Sequence, residues 1–142
     1  MRHCGASIIF YNSSHEVLLV LRDNISTIPY PGLWNLPGGH IEDNETAEEC
    51  IVREMLEEIE INVSGCMLFR VYEFADRREY VFMKQADFDL KNIILHEGQM
   101  LRWFSMDETG QIELAYGFDQ VLADYYHRLR GNTEKKYTPP SN

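Results

Sequence analysis

The 142-residue sequence has no long hydrophobic run and no excess of the residues that build fibres or linkers. No apolar stretch approaches the roughly 20 residues that cross a bilayer, and the N-terminus lacks the apolar segment of a signal peptide. With only 9 glycines, 5 prolines and 44% hydrophobic residues, collagen-like repeats and wholesale disorder are excluded. The composition predicts one globular domain, located in the cytoplasm and without a membrane partner.

Cysteine and positive charge are also scarce. The three cysteines, Cys4, Cys50 and Cys66, match neither a disulfide framework nor a Cys-x-x-Cys metal clamp, so we expect reduced thiols. Lysine and arginine together number 13 against 23 acidic residues, for a net charge of −10. Such a balance argues against a surface that grips a nucleic-acid polymer.

The acidic residues are concentrated in one segment. Residues 39–61 contain nine of them and a single arginine, Arg53, so the local charge is −8, whereas the other 119 residues carry only −2. Carboxylates this close together repel one another, so the segment is either a solvated face or a cation site. The density of acidic residues alone favours the solvated face.

Aliphatic and β-branched runs predict strands on both sides of a central helix. The strands are expected at Ala6–Phe10, Glu16–Arg22, Val63–Phe74, Glu79–Phe88 and Met100–Ser105. The first two should form a hairpin, and a loop containing two prolines follows from Asp23 to Gly32. Short hairpin connections exclude an all-parallel sheet, so the pattern predicts an α/β sandwich with a mixed sheet.

Two segments have helical periodicity. Thr46 to Ile59 contains neither proline nor glycine, and a second helix is predicted over Phe118–Arg130. Residues 131–142 have no apolar periodicity and are interpreted as a flexible C-terminal tail after a single domain at 1–130.

The central helix separates into an apolar side and an acidic side. The apolar side should hold Ile51, Val52, Met55, Leu56 and Ile59. Glu54, Glu57 and Glu58 share the other side, because residues three and four apart stack on one face of a helix. No lysine separates them, and this crowding is favourable if divalent cations such as Mg²⁺ or Mn²⁺ sit between the carboxylates.

Residues Gly39 to Ile61 resemble the Nudix box, G-x5-E-x7-R-E-U-x-E-E-x-G-U, where U is an aliphatic residue. Gly39, Glu45 and the run Arg53-Glu54-Met55-Leu56-Glu57-Glu58 fill six of its seven fixed polar or glycine positions over 23 residues. The resemblance implies a Nudix-type α/β/α sandwich with a mixed sheet and a central catalytic helix. It also implies a MutT-like hydrolase of nucleoside diphosphates linked to another group.

The resemblance further implies which residues hold the metal. Glu54, Glu57 and Glu58 would bind Mg²⁺, with Mn²⁺ as a substitute, and the backbone carbonyl of Gly39 would complete the ligand set. One of the three glutamates would accept the proton of the attacking water. Bridging metals would also let an acidic protein hold a polyanionic substrate.

Positioning roles are implied for the two remaining polar residues of the box. Arg53 lies four residues before Glu57 and would orient it, and Glu45 would also support the metal ligands without binding the metal itself. Outside the box, Glu97 resembles a glutamate that serves some family members as metal ligand or general base. An exposed loop acid is the alternative for Glu97.

Two residues resemble substrate contacts of MutT-like members. Arg22 corresponds to a phosphate contact, although a solvated arginine is equally compatible with its position at a strand end. Phe118 occupies the place of an asparagine that reads the base in oxidised-purine triphosphatases of the family, which weakens that substrate assignment. The leading expectation is a small (deoxy)nucleoside triphosphate. A nucleotide sugar or ADP-ribose, a non-catalytic nucleotide-binding domain and a plain acidic interaction module are the alternatives, and the protein is expected to be a monomer or a homodimer.

One position departs from the box, because Glu60 stands where the family has glycine. Either Glu60 ends the helix in the left-handed conformation, at a cost of roughly 1 kcal/mol, or the helix continues to Asn62. The flanking isoleucines favour the first alternative.

Overall fold

A computed structural model describes residues 3–137, with side chains up to residue 131. The strands are β1 (His3–Tyr11), β2 (Val17–Leu21), β3 (Trp34–Asn35), β4 (Gly38–His40), β5 (Met67–Glu73), β6 (Arg77–Gln85) and β7 (Met100–Phe104). The helices are α1 (Ala47–Ile59), α2 (Met106–Thr109) and α3 (Phe118–Tyr137), and short 3₁₀ turns lie at Leu90–Asn92 and Ala115–Gly117.

The strands form one mixed sheet. Its central order is β3-β2-β1-β6-β5, with β4 paired to β1 and β7 paired to β2. The pair β1 and β6 is parallel, whereas β1 and β2 form the predicted antiparallel hairpin. The mixed sheet predicted from the short connections is therefore confirmed.

Strand β1 is buried on both faces, which places it at the centre of two hydrophobic cores. Ala6, Ile8 and Phe10 pack with the buried residues of α1, while Ile9 belongs to the core that α3 covers. Successive side chains of a strand point to opposite faces, so α1 and α3 must lie on opposite sides of the sheet. This is the predicted three-layer α/β/α sandwich.

Helix α1 begins and ends close to the predicted bounds. Thr46 caps it, with the Thr46 side chain accepting from the Glu49 N–H and the Glu49 side chain accepting from the Thr46 N–H. Glu60 ends it in the left-handed region, with φ 59° and ψ 33°, so the first alternative for Glu60 is confirmed. Leu56 was expected on the apolar side, yet it is 47% exposed, and Cys50 is buried instead. The buried stripe is thus rotated toward Cys50, Ile51 and Met55, the residues that face β1.

Several predicted bounds are wrong. Strand β5 begins at Met67 and not at Val63, and β6 ends at Gln85 and not at Phe88. Arg77 was assigned to the turn before β6, but it is the first residue of that strand and pairs with His3. Helix α3 runs seven residues beyond Arg130, to Tyr137. The first residue that cannot continue a helix is Pro139, and a single glycine at 131 lowers helix propensity without ending it. The remaining part of the predicted flexible tail, residues 138–142, lies outside the described residues.

Candidate active site

Strand β4 and helix α1 bring Glu54 directly over Gly39. Any Cβ at position 39 would overlap the carboxyl group of Glu54, so only glycine leaves room for that side chain. Gly39 in turn is held by pairing with Ala6 of the central strand β1. The glycine of the box therefore leaves the Glu54 carboxyl in its present place, which any larger residue would displace.

Arg53 is the centre of an ion-pair network. Its Nε donates to Glu45 Oε2 at 2.7 Å and its NH2 group to Glu45 Oε1 at 3.0 Å, which makes the pair bidentate. The NH1 group contacts Glu54 Oε1 at 2.9 Å and Glu57 Oε2 at 3.3 Å. The hydrogen bonds from Arg53 lower the pKa of Glu45 to about 2. The predicted contact of Arg53 with Glu57 is present, and the pairing of Arg53 with Glu45 is a finding of the structure.

Glu58 has the opposite environment. Its Oε2 atom is buried without a hydrogen-bond partner. Burial, together with the negative charges of Glu54 and Glu97, raises the pKa of Glu58 to about 9. Burial also raises the pKa of Glu54, although Arg53 opposes that shift. A carboxyl group in this state binds either a proton or an added cation.

The third glutamate of the predicted acidic face does not point the same way. The Glu57 side chain is 59% exposed and faces Arg53, whereas Glu58 is turned inward. Within residues 3–137, no three acidic, histidine or cysteine side chains stand in an arrangement that would already hold a metal ion. The three carboxylates expected to converge therefore do not do so in this structure, because Glu58 interacts with Glu54 whereas Glu57 faces Arg53.

The loop that carries Glu97 is fixed to the end of α1. The His96 N–H donates to the Glu58 carbonyl at 2.8 Å, and His96 Nε2 lies 2.6 Å from Glu60 Oε2. On the other side, the Gln99 side chain donates to the Arg22 carbonyl at 2.7 Å. These contacts hold Glu97 close enough to raise the pKa of Glu58, although its own side chain is exposed, and its role as metal ligand or general base stays a prediction.

A cavity of about 280 Å³ opens beside the acidic cluster. Of the predicted residues, Gly39, Glu97, Arg22 and Phe118 line it, whereas Glu54, Glu57 and Glu58 do not. Arg22 is already engaged, because its Nε donates to the Pro29 carbonyl at 3.0 Å and its guanidinium lies 5.1 Å from the Tyr116 ring. Phe118 is 4% exposed and therefore serves mainly as core. A second cavity of about 130 Å³ joins Glu97 to Glu58.

Sequence reasoning missed four polar residues of the larger cavity, namely Ser7, Asn35, Arg77 and Glu79. Arg77 and Glu79 form a buried ion pair, with Nε 2.6 Å from Oε1. The available signal was their spacing, since two residues apart in a strand means the same face. That face also carries buried Val81, so both charges had to be inside.

Similarity to known proteins agrees with this geometry. The NUDIX domain family model matches residues 1–129. A putative 8-oxo-dGTP diphosphatase of Bacillus subtilis (strain 168) is 38% identical over 81 residues, covering 55% of this chain and 50% of the relative. An ADP-ribose pyrophosphatase of Methanocaldococcus jannaschii is 30% identical over 120 residues, covering 82% of this chain and 69% of the relative.

The fold is likewise that of solved Nudix proteins. A MutT structure from work on the Aliivibrio salmonicida and Vibrio cholerae proteins superposes with a TM-score of 0.72 at 26% identity, covering 87% of this chain and 96% of that one. The chain belongs to the Nudix family. It spans about half the length of the first curated relatives, with 50% and 43% covered. No helix within residues 3–137 is long and apolar enough to cross a membrane.

Proposed function

We propose that this chain is a Nudix hydrolase that cleaves a phosphoric anhydride bond in a nucleoside diphosphate linked to another group. The observation that carries the proposal is the buried, unpartnered Oε2 of Glu58, surrounded by Glu54 and Glu97 at the edge of a cavity. An unsatisfied buried carboxyl costs stability, so such a site is retained for a function.

The donor set suits a hard divalent cation. Glu54, Glu57, Glu58, Glu97 and the Gly39 carbonyl are all oxygen ligands, the type that Mg²⁺ and Mn²⁺ prefer. When bound, the metal would neutralise the phosphates, polarise a P–O bond and lower the pKa of a bound water. The unpartnered Glu58 oxygen is the ligand position that the fold leaves open.

The other residues of the box position these ligands. Arg53 is anchored by Glu45 and by the His40 carbonyl at 3.2 Å, and it holds Glu54 and Glu57 through one nitrogen. If the Glu57 side chain turned from Arg53 toward the metal, it would complete the set of metal ligands. The inward glutamates would then orient the attacking water and accept its proton.

The leading substrate is a nucleoside triphosphate, with ADP-ribose or a nucleotide sugar as the second candidate. The cavity volume of about 280 Å³ lies at the low end of the range for small-molecule sites and suits one base. Arg22 at its mouth would contact a phosphate, and Phe118 would form one wall. The ADP-ribose pyrophosphatase relative favours the second candidate because its similarity extends over 82% of this chain. The cytoplasmic location and the monomeric or homodimeric state stay predictions.

Incubation with a panel of nucleoside triphosphates, ADP-ribose and nucleotide sugars tests the proposal. With millimolar Mg²⁺ at least one compound should yield a nucleoside monophosphate, and a chelator should stop the reaction until Mg²⁺ or Mn²⁺ is restored. Turnover that survives chelation would contradict the metal assignment. A chain that binds nucleotide and cleaves none would be a binding domain, and one that binds neither nucleotide nor Mg²⁺ would be an acidic interaction module.

A further inference from the structure

The side chain of Tyr116 contacts two arginines that line the larger cavity. Its ring lies 5.1 Å from the Arg22 guanidinium and 5.2 Å from that of Arg77. Arg77 forms ion pairs with Glu79 at 2.6 Å and with Asp76 at 3.4 Å. In the part of the chain whose side chains are described, Arg22 has no acidic partner within ion-pair distance. Tyr116 thus contacts one arginine whose charge is balanced and one whose charge is available to an anion.

The fold brings Tyr116 beside Arg22 through strand β3. Arg22 directly follows β2, whose last residue, Leu21, pairs with Trp34 of β3. Trp34 also forms an isolated bridge with Leu114, which precedes the 3₁₀ turn that contains Tyr116. Pairings between segments that are distant in sequence therefore fix the position of the ring relative to the guanidinium.

The backbone of Tyr116 is held in an unfavourable conformation. Its φ and ψ are 58° and 20°, in the left-handed region that residues with a side chain rarely adopt. The NH2 group of Arg77 donates to the Tyr116 carbonyl at 2.8 Å, and Arg77 is itself fixed by the hydrogen bond from its Nε to Glu79 Oε1. Strained residues persist where the surrounding contacts hold them, and they concentrate at functional sites. The buried ion pair of Arg77 and Glu79 thus supports Tyr116.

Arg22 is directed by two contacts and keeps nitrogen atoms free for a ligand. Its Nε donates to the Pro29 carbonyl at 3.0 Å, and Tyr116 is its aromatic contact. Among the residues whose side chains are described, Nε is the only guanidinium nitrogen of Arg22 with a hydrogen-bond partner. Tyr30, from the loop that carries Pro29, packs against Tyr116 with the ring centroids 4.6 Å apart. The same ring therefore contacts both Arg22 and the loop that Arg22 binds.

We propose that Tyr116 is a positioning residue that holds the Arg22 guanidinium in place to bind a phosphate group of the substrate. The inference rests on the proposed function, which makes the substrate a phosphoric anhydride. Asp23 and Glu97 line the second cavity together with Arg22, in a protein of net charge −10. Without the ring, the guanidinium would be free to pair with one of these carboxylates. Attraction to the face of the ring keeps it oriented, so fewer conformations are lost when an anion binds.

Binding of methylenediphosphonate in the presence of Mg²⁺ tests the inference, because this analogue of pyrophosphate has no base and its bridging carbon prevents hydrolysis. Calorimetry measures its affinity. Tyr116→Leu removes the ring and should weaken binding about three- to tenfold, the effect of losing one cation–π contact. Tyr116→Phe keeps the ring and should bind within about twofold of wild type. Glu48→Gln, an exposed change on α1, should bind like wild type.

A double-variant cycle determines whether Tyr116 acts through Arg22. Arg22→Ala should weaken binding at least as much as Tyr116→Leu, and combining the two should cause no further loss. A merely structural defect at position 116 would lower the affinity in both backgrounds. Losses that multiply in the double variant, or no binding of the diphosphonate by wild type, would overturn the inference.

Fluorination of the ring decides the matter if Tyr116→Leu fails to fold. Phenylalanine analogues with an increasing number of ring fluorines keep the shape of the side chain and weaken its attraction for a cation. At position 116 they should lower the affinity stepwise in the presence of Arg22 and have no effect in Arg22→Ala. Equal affinities across the series with Arg22 present would overturn the inference. A stepwise loss in a protein that cleaves no nucleotide would overturn the proposed function and leave the role of Tyr116 intact.

Discussion

Glu45 and Glu58 belong to the same acidic segment, yet the protein shifts their carboxyl pKa values in opposite directions. The pKa of Glu45 falls to about 2 because Arg53 binds both of its oxygens. The pKa of Glu58 rises to about 9 because it is buried beside Glu54 and Glu97 with no cation of its own. Arg53 therefore stabilises the ionised form of Glu45 and not that of Glu58. Glu45 stays ionised and holds Arg53 in place. The charged groups that act on Glu58 are all acidic, so none of them balances its negative charge.

The largest expected effect is the loss of turnover in Glu58→Gln. The change keeps the shape and removes the charge, so kcat should fall by about 10²- to 10⁴-fold, as on loss of an acid–base or metal-binding group. Steady-state kinetics at saturating Mg²⁺ measures it, with Glu48→Gln as the exposed control. Similar losses in both variants would mean that bulk negative charge matters and the buried site does not.

Arg53→Lys should have a smaller effect on the same reaction. Lysine keeps the positive charge but cannot make the two-point contact with Glu45 while also holding Glu54. We expect a 10- to 100-fold loss in activity or in Mg²⁺ affinity, the usual range for a residue that orients metal ligands. The measurement is the Mg²⁺ concentration that gives half-maximal rate. Wild-type values for rate and for Mg²⁺ would refute the positioning role.

The ion pair between Glu45 and Arg53 predicts that the protein becomes less stable at acidic pH. The pKa of Glu45 is about 2 when folded against 4.5 for the ordinary group. A lowered folded pKa stabilises the protein above pH 4.5, and this contribution is lost as the pH falls toward 2. Urea unfolding of wild type should therefore become easier across this window, and Glu45→Gln should show a flatter dependence. Parallel profiles for the two proteins would contradict the assignment.

The smallest effect concerns the end of α1. Glu60→Gly removes a left-handed side chain and a negative charge at the helix C-terminus, which together favour the variant by roughly 1 kcal/mol. The variant also loses the contact between Glu60 and His96. Both side chains are about half exposed, and exposed ion pairs contribute only about 0–1 kcal/mol to stability. We expect net stabilisation below about 1 kcal/mol, read from the urea midpoint.

Glu60→Ala provides the matched control for that change. Alanine keeps the strained backbone and loses His96, so its midpoint should lie below that of wild type. Turnover in both variants should change only a few-fold, since the α1 glutamates lie upstream and the Glu97 loop keeps its other hydrogen bonds, from the His96 N–H to the Glu58 carbonyl and from Gln99 to the Arg22 carbonyl. A lower midpoint for Glu60→Gly would mean that His96 contributes more than backbone strain costs.

Local sequence signals were sufficient for much of the fold. Thr46 and Glu49 form a capping box at the start of α1. Glu60 occupies the position at which the Nudix box has glycine, and α1 ends there in the left-handed conformation. The hairpin and the mixed sheet follow from short connections. Leu56 shows the limit of predicting burial from helical spacing. The spacing indicates which residues form the apolar side of α1, but the contact with β1 decides which of them are buried.

The site was predictable to the extent that its chemistry lies in one segment. The glutamates of α1 and Arg53 are close in sequence, so helix geometry relates them. The split between exposed Glu57 and buried Glu58 depends on β4 and on the loop around Glu97, which only the fold brings near. Glu79 was missed because its partners, Arg77 apart, come from β1 and β4, which are distant in sequence.

The central claim is that Glu58 is part of a divalent cation site, and Mg²⁺-dependent stability tests it most directly. A cation that binds only the folded protein stabilises it by RT ln(1 + [L]/Kd), about 2.7 kcal/mol at 100 times Kd. Thermal melts should therefore shift upward with millimolar Mg²⁺ in wild type and in Glu48→Gln, and the shift should be absent in Glu58→Gln. An equal Mg²⁺ shift in all three proteins, or none in wild type, would contradict the account.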